Sequence, residues 1–413
     1  MTGETIEITA GDGGSFQAYL AKPAQGSGPG LVLLQEIFGV TAFLRAQADL
    51  LAEEGYVVLV PDLFWRQEPG LDLGYEDEDR QKAFALYQGF DSDKAVEDIG
   101  ATLEALRSRP EQTGKLGVLG YCLGGKLAFL AAARCDVDCA ISYYGVGLEN
   151  HLDEAAKITC PLVLHVAEQD DHVPPEAVEQ VRQALSDHRG VSIFSYPGAG
   201  HAFARPGGAQ YDKPAAMMAY SRSLALLRGV LGPVFDLSAL WDLHCYHEFA
   251  ARDVDATMST MVSEPYVNHI PTMTGGVGHD HLKRFYKYHF VNSNPPDTKL
   301  IPISRTIGTD RLVDEMLFCF THSCEIDWML PGIEPTGAYV EIPLVAIVCF
   351  RGDKLYNEHI YWDQASVLVQ IGKLDPEGLP VAGRDTAQKL IDETRPSNAL
   401  MADRWAGSEG KPI

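Results

Sequence analysis

The chain has 413 residues, of which 46% are hydrophobic, so it is long for one domain and can build two cores. Its formal charge of −24 at pH 7 disfavours unassisted binding to nucleic acid or to an anionic membrane. The N-terminus lacks a signal-peptide pattern, and no run of about 18 apolar residues occurs. The eight cysteines show neither C-x-x-C pairs nor zinc spacing. We expect a cytoplasmic protein with reduced thiols that binds no nucleic acid, membrane or cofactor.

Up to about residue 232, short β-branched runs alternate with amphipathic stretches, which is typical of strands and crossover helices in a mostly parallel sheet. The predicted strands include 31–35, 56–61, 115–120, 139–144, 161–167 and 191–196. The predicted helices are 43–54, 93–107, 125–134, 176–187 and 214–230. This order predicts an α/β domain with a doubly wound sheet over residues 1–232.

Gly232-Pro233 breaks the last of these helices, and we place the domain boundary there. The second half begins with helical stretches at 240–249 and 281–292, and then presents long runs at 311–329, 339–350 and 355–370. Helices followed by a curved antiparallel sheet predict an α+β domain over residues 235–395. The composition of residues 396–413 predicts a polar C-terminal tail.

A cysteine stands in a glycine-rich turn between a predicted strand and a predicted helix, in the sequence Gly-Tyr-Cys-Leu-Gly-Gly over residues 120–125. Small neighbours are needed because a nucleophile at such a strained turn leaves no room for larger side chains. The helix N-terminus favours a Cys122 thiolate, and the Leu123 N–H is placed to stabilise an oxyanion. The alternative is a buried structural cysteine in a tight turn.

Partners for a nucleophile at this turn should follow in the order acid, then histidine, each on a loop after a later strand. Asp170 follows the run 161–167, and His201 follows the run 191–196. His201 would accept the thiol proton and later activate water, while the acid would orient its imidazole. Asp171 is the competing acid, and we favour Asp170 because it lies closer to the strand end.

These motifs resemble the dienelactone hydrolase (carboxymethylenebutenolidase) family over roughly residues 1–232. The resemblance rests on Gln-Glu-Ile-Phe-Gly at 35–39, Pro-Asp-Leu at 61–63, the Cys122 turn, Tyr-Tyr-Gly-Val-Gly at 143–147 and Gly-His-Ala-Phe-Ala-Arg at 200–205. It implies an α/β-hydrolase fold. It also implies that thiolate attack opens a small carboxylate-bearing enol-lactone through a thioester and gives a maleylacetate-like product.

The resemblance further implies roles for individual residues. Glu36 would hold and help to deprotonate the thiol, although a structural ion pair is its alternative, and the Ile37 N–H would be the second oxyanion donor. Arg80 and Arg205 would bind the substrate carboxylate, with solvated surface arginines as the alternative. Phe38 and Phe84 would also line the substrate site. Phe84 stands where family members can place a tyrosine, so the particular lactone stays open.

The second half resembles the SnoaL-like, polyketide-cyclase-type branch of the NTF2-like superfamily, whose members form a conical α+β barrel around a pocket. The stretches that carry this resemblance are 241–248, 278–286, 314–322 and 359–364. His322, Asp363 and His359 are the candidate pocket residues, with hydrogen-bonded core residues or an interface as the alternative. His279 and His281 lack convincing ligand spacing, so no metal is expected.

Two other functions stay open for the whole chain. The first domain could act on another small ester or lactone whose product the C-terminal domain cyclises or isomerises. The C-terminal domain could instead be a non-catalytic module that binds a ligand or forms a homodimer. In each case the expected partner of the first domain is a small-molecule lactone or ester.

Overall fold

The computed structural model describes residues 3–413. The chain forms two compact units, one ending at Val234 and the other beginning at Phe235. Each unit encloses hydrophobic clusters of its own. In the part of the chain that is described, no helix is both long enough and apolar enough to cross a membrane.

The first unit is built on a single eight-stranded sheet with helices on both faces. Its strands are β1 (Glu4–Thr9), β2 (Ser15–Ala21), β3 (Gly28–Leu34), β4 (Val57–Pro61), β5 (Gln112–Tyr121), β6 (Cys139–Tyr143), β7 (Leu162–Gln169) and β8 (Val191–Gly200). Their order is β1-β2-β4-β3-β5-β6-β7-β8. The six strands β3 to β8 are parallel to one another, whereas β1 and β2 pair antiparallel at one edge.

The helices of this unit cover the sheet and include α2, which the sequence pattern did not predict. They are α1 (Ala42–Glu53), α2 (Asp77–Gln88), α3 (Ser92–Arg107), α4 (Leu123–Arg134), α5 (Pro175–Ala184) and α6 (Lys213–Val230), with a 3-10 segment at Leu148–Lys157. Ala83 is the one fully buried residue of α2, so this helix has no apolar stripe to detect. The predicted doubly wound α/β-hydrolase fold is confirmed for this unit.

The parallel strands bring the chemistry-bearing loops to one edge of the sheet. Every residue of β3, β4 and β6 is buried, because helices cover both faces of a parallel sheet. The carboxyl ends of such strands share one edge, which is where open α/β sheets bind ligands. The segments after β3, β5, β7 and β8 carry Glu36, Cys122, Asp170 and His201.

The second unit has one six-stranded sheet in the order β10-β9-β14-β13-β12-β11. Its strands are β9 (Met261–His269), β10 (Thr274–Val277), β11 (Lys299–Ile307), β12 (Arg311–Thr321), β13 (Tyr339–Arg351) and β14 (Lys354–Trp362). Its helices are α7 (Leu237–Cys245), α8 (Val254–Ser259), α9 (His279–Phe285), α10 (Gln364–Gln370), α11 (Asp385–Ile391) and α12 (Ala402–Ala406). π-Helical turns at Tyr246–Ala251 and Tyr286–Phe290 extend α7 and α9, and a 3-10 turn at Ala399–Met401 precedes α12.

The expectation that helices precede an antiparallel sheet is partly wrong for this unit. The strands β9 and β10 come before α9, and β9 pairs parallel with β14. The predicted run 311–329 is a strand only as far as Thr321. The run 355–370 divides at Asp363, whose side chain accepts a hydrogen bond from the Ser366 N–H and so begins α10.

Candidate active site

Cys122 lies in the sharp turn between the end of β5 at Tyr121 and the start of α4 at Leu123. Its backbone has φ 56° and ψ −114°, a strained conformation for a residue with a side chain. A Cβ on Gly120 would lie 2.0 Å from the Gly124 carbonyl oxygen, and a Cβ on Gly124 would lie 2.4 Å from that of Leu34. Both positions therefore require glycine, which is the reason for the motif around the cysteine.

His201 and Asp170 form a close pair at the ends of β8 and β7. Nδ1 of His201 lies 2.8 Å from Oδ2 and 3.1 Å from Oδ1 of Asp170. The Asp170 carboxylate is buried, and it also accepts a hydrogen bond of 2.8 Å from the His172 N–H. Asp171 is exposed and lines the neighbouring cavity. Asp170 is thus the acid that contacts the imidazole.

The electrostatic surroundings of His201 favour its protonated form. Burial acts to lower the pKa of His201, but the charge of Cys122 and hydrogen bonding to Asp170 outweigh it and raise this pKa to about 10. The neighbouring His172, with its ring centroid 4.7 Å away, has its pKa lowered by burial and by the charge of His201. The positive charge of this pair therefore resides on His201, next to Cys122.

Glu36 and Arg205 form a buried ion pair in the same region. The Nη1 atom of Arg205 donates a 2.9 Å hydrogen bond to Oε2 of Glu36, and both side chains are largely withdrawn from solvent. The guanidinium carbon lies 3.9 Å from the centre of the Tyr75 ring, so this arginine is held on two sides. In this structure Glu36 is therefore paired with Arg205, the residue that is expected to bind the substrate carboxylate.

A cavity of about 370 Å³ collects most of the predicted site residues of the first unit. They are Glu36, Ile37, Phe38, Arg80, Phe84, Cys122, Leu123, His201 and Arg205. Asp170 does not line this cavity and contacts His201 from outside it. Arg80 and Phe84 are exposed on α2, whereas Phe38 is buried.

The two predicted oxyanion donors, Ile37 and Leu123, belong to residues that line this cavity. Leu123 is the first residue of α4, so its N–H has no acceptor within the helix. The Ile37 N–H makes no hydrogen bond with any residue that the structure describes. Two donors without acceptors, in residues that line the same cavity as Cys122, suit the stabilisation of a negative oxygen.

The site also contains residues that sequence reasoning missed. Tyr144 packs edge-on against His201 with a 5.1 Å centroid separation, and Tyr75 lies under Arg205. Lys126, one helical turn after Cys122, is buried with its Nζ 3.0 Å from Ser92 Oγ, and burial lowers its pKa. A lysine inside the apolar sequence of α4 was a detectable signal, whereas nothing local marked Tyr75.

In the second unit, the structure does not bring the three predicted pocket residues together. Asp363 caps α10, and Nδ1 of His322 accepts a hydrogen bond from the Thr336 N–H. His359 packs against Tyr266 on the sheet face opposite to Glu358. A cavity of about 40 Å³ in this unit is lined instead by residues that include Glu248, His269, Tyr286 and Glu358. His322 and Asp363 thus fit the alternative of hydrogen-bonded structural residues, and side-chain alternation along β14 does not reveal which of its faces is covered.

Comparison with known proteins gives matches for the first unit. The sequence profile of the dienelactone hydrolase family matches residues 16–231. Carboxymethylenebutenolidase 1 of Cupriavidus pinatubonensis is 39% identical over 234 residues, which are 56% of this chain and 100% of that protein. The carboxymethylenebutenolidase of Pseudomonas putida is 40% identical over 228 residues, which are 55% of this chain and 97% of that protein.

Two further relatives have names of the same kind, and those names were assigned by inference. A carboxymethylenebutenolidase of Azospirillum brasilense is 46% identical over 230 residues, covering 55% of this chain and 99% of that protein. The crystal structure of a dienelactone hydrolase from Klebsiella pneumoniae subsp. pneumoniae is 28% identical with a TM-score of 0.48, covering 55% of this chain and 98% of that one. From the family match and these sequence relatives, the chain belongs to the dienelactone hydrolase family and is an enzyme that hydrolyses esters or lactones.

Proposed function

We propose that the first unit opens a small enol-lactone that carries a carboxylate and yields a maleylacetate-like product. The observation that carries this proposal is the contact between His201 and Asp170, beside a cavity that both His201 and Cys122 line. The sequence relatives are named carboxymethylenebutenolidases, which supports this class of substrate. Cys122, His201 and Asp170 act as nucleophile, base and orienting acid.

The reaction begins when Cys122 Sγ attacks the lactone carbonyl carbon. The N–H groups of Leu123 and Ile37 stabilise the tetrahedral oxyanion, which collapses to a thioester as the ring C–O bond breaks and an enolate leaves. The enolate takes up the proton of the His201 imidazolium, and the neutral His201 then removes a proton from water, which attacks the thioester and frees the Cys122 thiolate. Because an enolate is a good leaving group, the first step demands little proton donation from His201.

Substrate recognition follows from the positive groups of the cavity. A protein with a charge of −24 needs a local cationic site to attract an anion. Arg80 is exposed at the rim, and Arg205 is buried beside Glu36. A substrate carboxylate that binds Arg205 competes with Glu36 for the same guanidinium. The displaced Glu36 carboxylate is then available to act on the Cys122 thiol.

Mass spectrometry of the full chain mixed with a panel of enol-lactones and aryl esters tests this function. We expect the wild type to consume the lactone and Cys122→Ala to consume none. Cys135→Ala is the matched control, since Cys135 is another partly buried free thiol at the opposite end of α4. Lactone hydrolysis that survives in Cys122→Ala, or is lost equally in Cys135→Ala, would contradict the proposal.

For the second unit we propose an NTF2-like, SnoaL-type domain over residues 235–395. The support is a mixed six-stranded sheet with helices and an internal cavity lined by Trp241, Trp328 and several polar groups. The alternatives are a domain that remodels the hydrolysis product and a module that binds a ligand or forms a dimer. Full-length Cys122→Ala incubated with pre-hydrolysed lactone separates these alternatives, because turnover favours an enzyme. Light scattering of the same sample determines whether the chain dimerises.

A further inference from the structure

Three ionisable side chains converge inside the second unit, and the proposed hydrolysis does not use them. His244 lies in α7, Glu248 lies one turn later in the π-helical extension, and Glu358 lies on β14. The Nε2 atom of His244 is 3.1 Å from Oε1 of Glu248 and 3.2 Å from Oε1 of Glu358. All three residues are at most 3% exposed.

The tautomer of His244 follows from its second hydrogen bond. The Thr260 hydroxyl donates to the Thr257 carbonyl at 2.6 Å, so its oxygen acts as the acceptor at 2.6 Å from His244 Nδ1. His244 Nδ1 therefore carries a proton, and a neutral ring presents the Nε2 lone pair to both glutamates. At protein metal sites, the histidine nitrogen that does not bind the metal is usually held by a hydrogen bond, as Nδ1 of His244 is here.

The glutamates are not fully satisfied by the side chains around them. Oε1 of Glu358 is buried and accepts no hydrogen bond from the described residues. The two carboxylates approach a single imidazole nitrogen, Nε2 of His244, so the side chains around them leave acceptor positions unfilled. The Tyr286 hydroxyl lies 3.5 Å from His244 Nε2 and also hydrogen-bonds Glu248.

The size of the adjoining cavity limits what can bind beside these side chains. Its volume is about 40 Å³, which is room for about one to three water molecules. A divalent ion would balance two carboxylates beside a neutral histidine. Metal bonds of about 2.0–2.2 Å place adjacent ligand atoms about 2.9–3.5 Å apart, a range that contains both distances measured from Nε2.

We propose that His244 Nε2, Glu248 and Glu358 bind a divalent transition-metal ion in the second unit. The three donor atoms lie within 4.8 Å of one another. One imidazole and two carboxylates suit Zn²⁺, Mn²⁺ or Fe²⁺, whereas an imidazole ligand disfavours Mg²⁺. Local spacing indicated no metal because Glu358 is remote in sequence from the helical pair, and only the pairing of β14 brings it close.

Calorimetric titration of the full chain after chelator treatment tests this site, with Zn²⁺, Mn²⁺ and Mg²⁺ as separate probes. The chain carries Cys122→Ala, so that the thiol of the first unit cannot bind the ion. We expect one equivalent of Zn²⁺ or Mn²⁺ per chain and an affinity for Mg²⁺ that is at least about tenfold lower. Metal analysis of the dialysed protein checks the stoichiometry.

Glu358→Gln should lower the affinity for Zn²⁺ and Mn²⁺ by at least about tenfold. Glu325→Gln is the matched control, because Glu325 is an exposed glutamate of the same unit. Absence of equimolar binding in the Cys122→Ala chain, or equal affinity in Glu358→Gln, would overturn the proposal.

If Glu358→Gln does not fold, the spectrum of Co²⁺ added to the Cys122→Ala chain decides the question. Nitrogen and oxygen ligands predict ligand-field bands without a sulfur-to-cobalt charge-transfer band. Absence of ligand-field bands, or a sulfur band from another cysteine, would refute binding by these three residues.

Discussion

At the residue scale, the candidate triad is held together by charge as well as by position. His201 contacts the buried Asp170 through Nδ1, and the charge of Cys122 and this hydrogen bond raise the pKa of His201. An acid in this position fixes the imidazole tautomer and stabilises the imidazolium without itself gaining a proton. The exposed Asp171, next in the chain, has no such contact with His201.

Asp170→Asn should lower kcat for lactone hydrolysis by about a thousandfold or more, because an amide cannot stabilise the imidazolium. Asp171→Asn is the neighbouring control and should change kcat by less than about tenfold. Steady-state kinetics on one enol-lactone checks both variants. A larger loss in Asp171→Asn would reverse the assignment of the acid.

The pKa of His201 should fall in Cys122→Ala, since the charge of Cys122 is the largest influence that raises it. In the wild type this pKa is about 10 instead of 6.5, so protonation of His201 stabilises the folded state. That contribution is complete below pH 6.5 and is lost as the pH rises through about 10. Nuclear magnetic resonance titration of the imidazole ring measures the change. An unaltered pKa would show that Cys122 does not raise the pKa of His201.

At the element scale, the turn between β5 and α4 depends on the close approach of β3. The backbone of Leu34 at the end of β3 lies where a Gly124 side chain would be. The carbonyl of Gln35 accepts a 2.9 Å hydrogen bond from the Gly124 N–H. The nucleophile is therefore fixed by rigid elements and not by a mobile loop.

Gly124→Ala should lower the free energy of unfolding by about 2–4 kcal/mol, because its Cβ would collide with backbone that cannot move aside. Gly100→Ala in α3 is the control, since nothing lies within 4 Å of its added Cβ. That change should raise stability by about 0.5–1 kcal/mol through helix propensity. Chemical denaturation compares the two variants, and equal effects would contradict the packing argument.

The helix α2 offers a second test, because it carries Arg80 and Phe84 at the cavity. Arg80→Gln should raise KM for a lactone that bears a free carboxylate by about tenfold. The KM for the methyl ester of the same lactone should stay within about twofold. Equal changes for the two substrates would show that Arg80 does not bind the carboxylate.

These elements also show how far the sequence could predict the structure. Strands such as β3 and β6 are continuous apolar runs, and their positions were predicted within a few residues. The motif around Cys122 and the strand order likewise indicated where Asp170 and His201 would meet. The helix α2 and the partners of Glu358 could not be predicted, since one lacks an apolar stripe and the other depends on long-range strand pairing.

At the scale of the whole molecule, the chain contains two units with separate cores. Phe129 is buried in the core of the first unit, and Phe318 is buried in that of the second. The family match ends at residue 231, just before the boundary between the units. Separate cores generally unfold in separate cooperative steps.

Calorimetry should therefore resolve two thermal transitions. Phe318→Ala should destabilise one of them by about 3–5 kcal/mol and leave lactone hydrolysis intact. Phe129→Ala should destabilise the other by a similar amount. A single transition that both variants shift together would show that the units unfold as one.

The contrast between α2 and the Cys122 turn has a consequence for how this hydrolase can diversify. Most of α2 is exposed, and Ala83 is its one fully buried residue, so substitutions along this helix cost little stability. The glycines around Cys122 tolerate no side chain. Natural or laboratory selection can therefore vary the range of accepted lactones through α2 while the reaction chemistry is inherited unchanged.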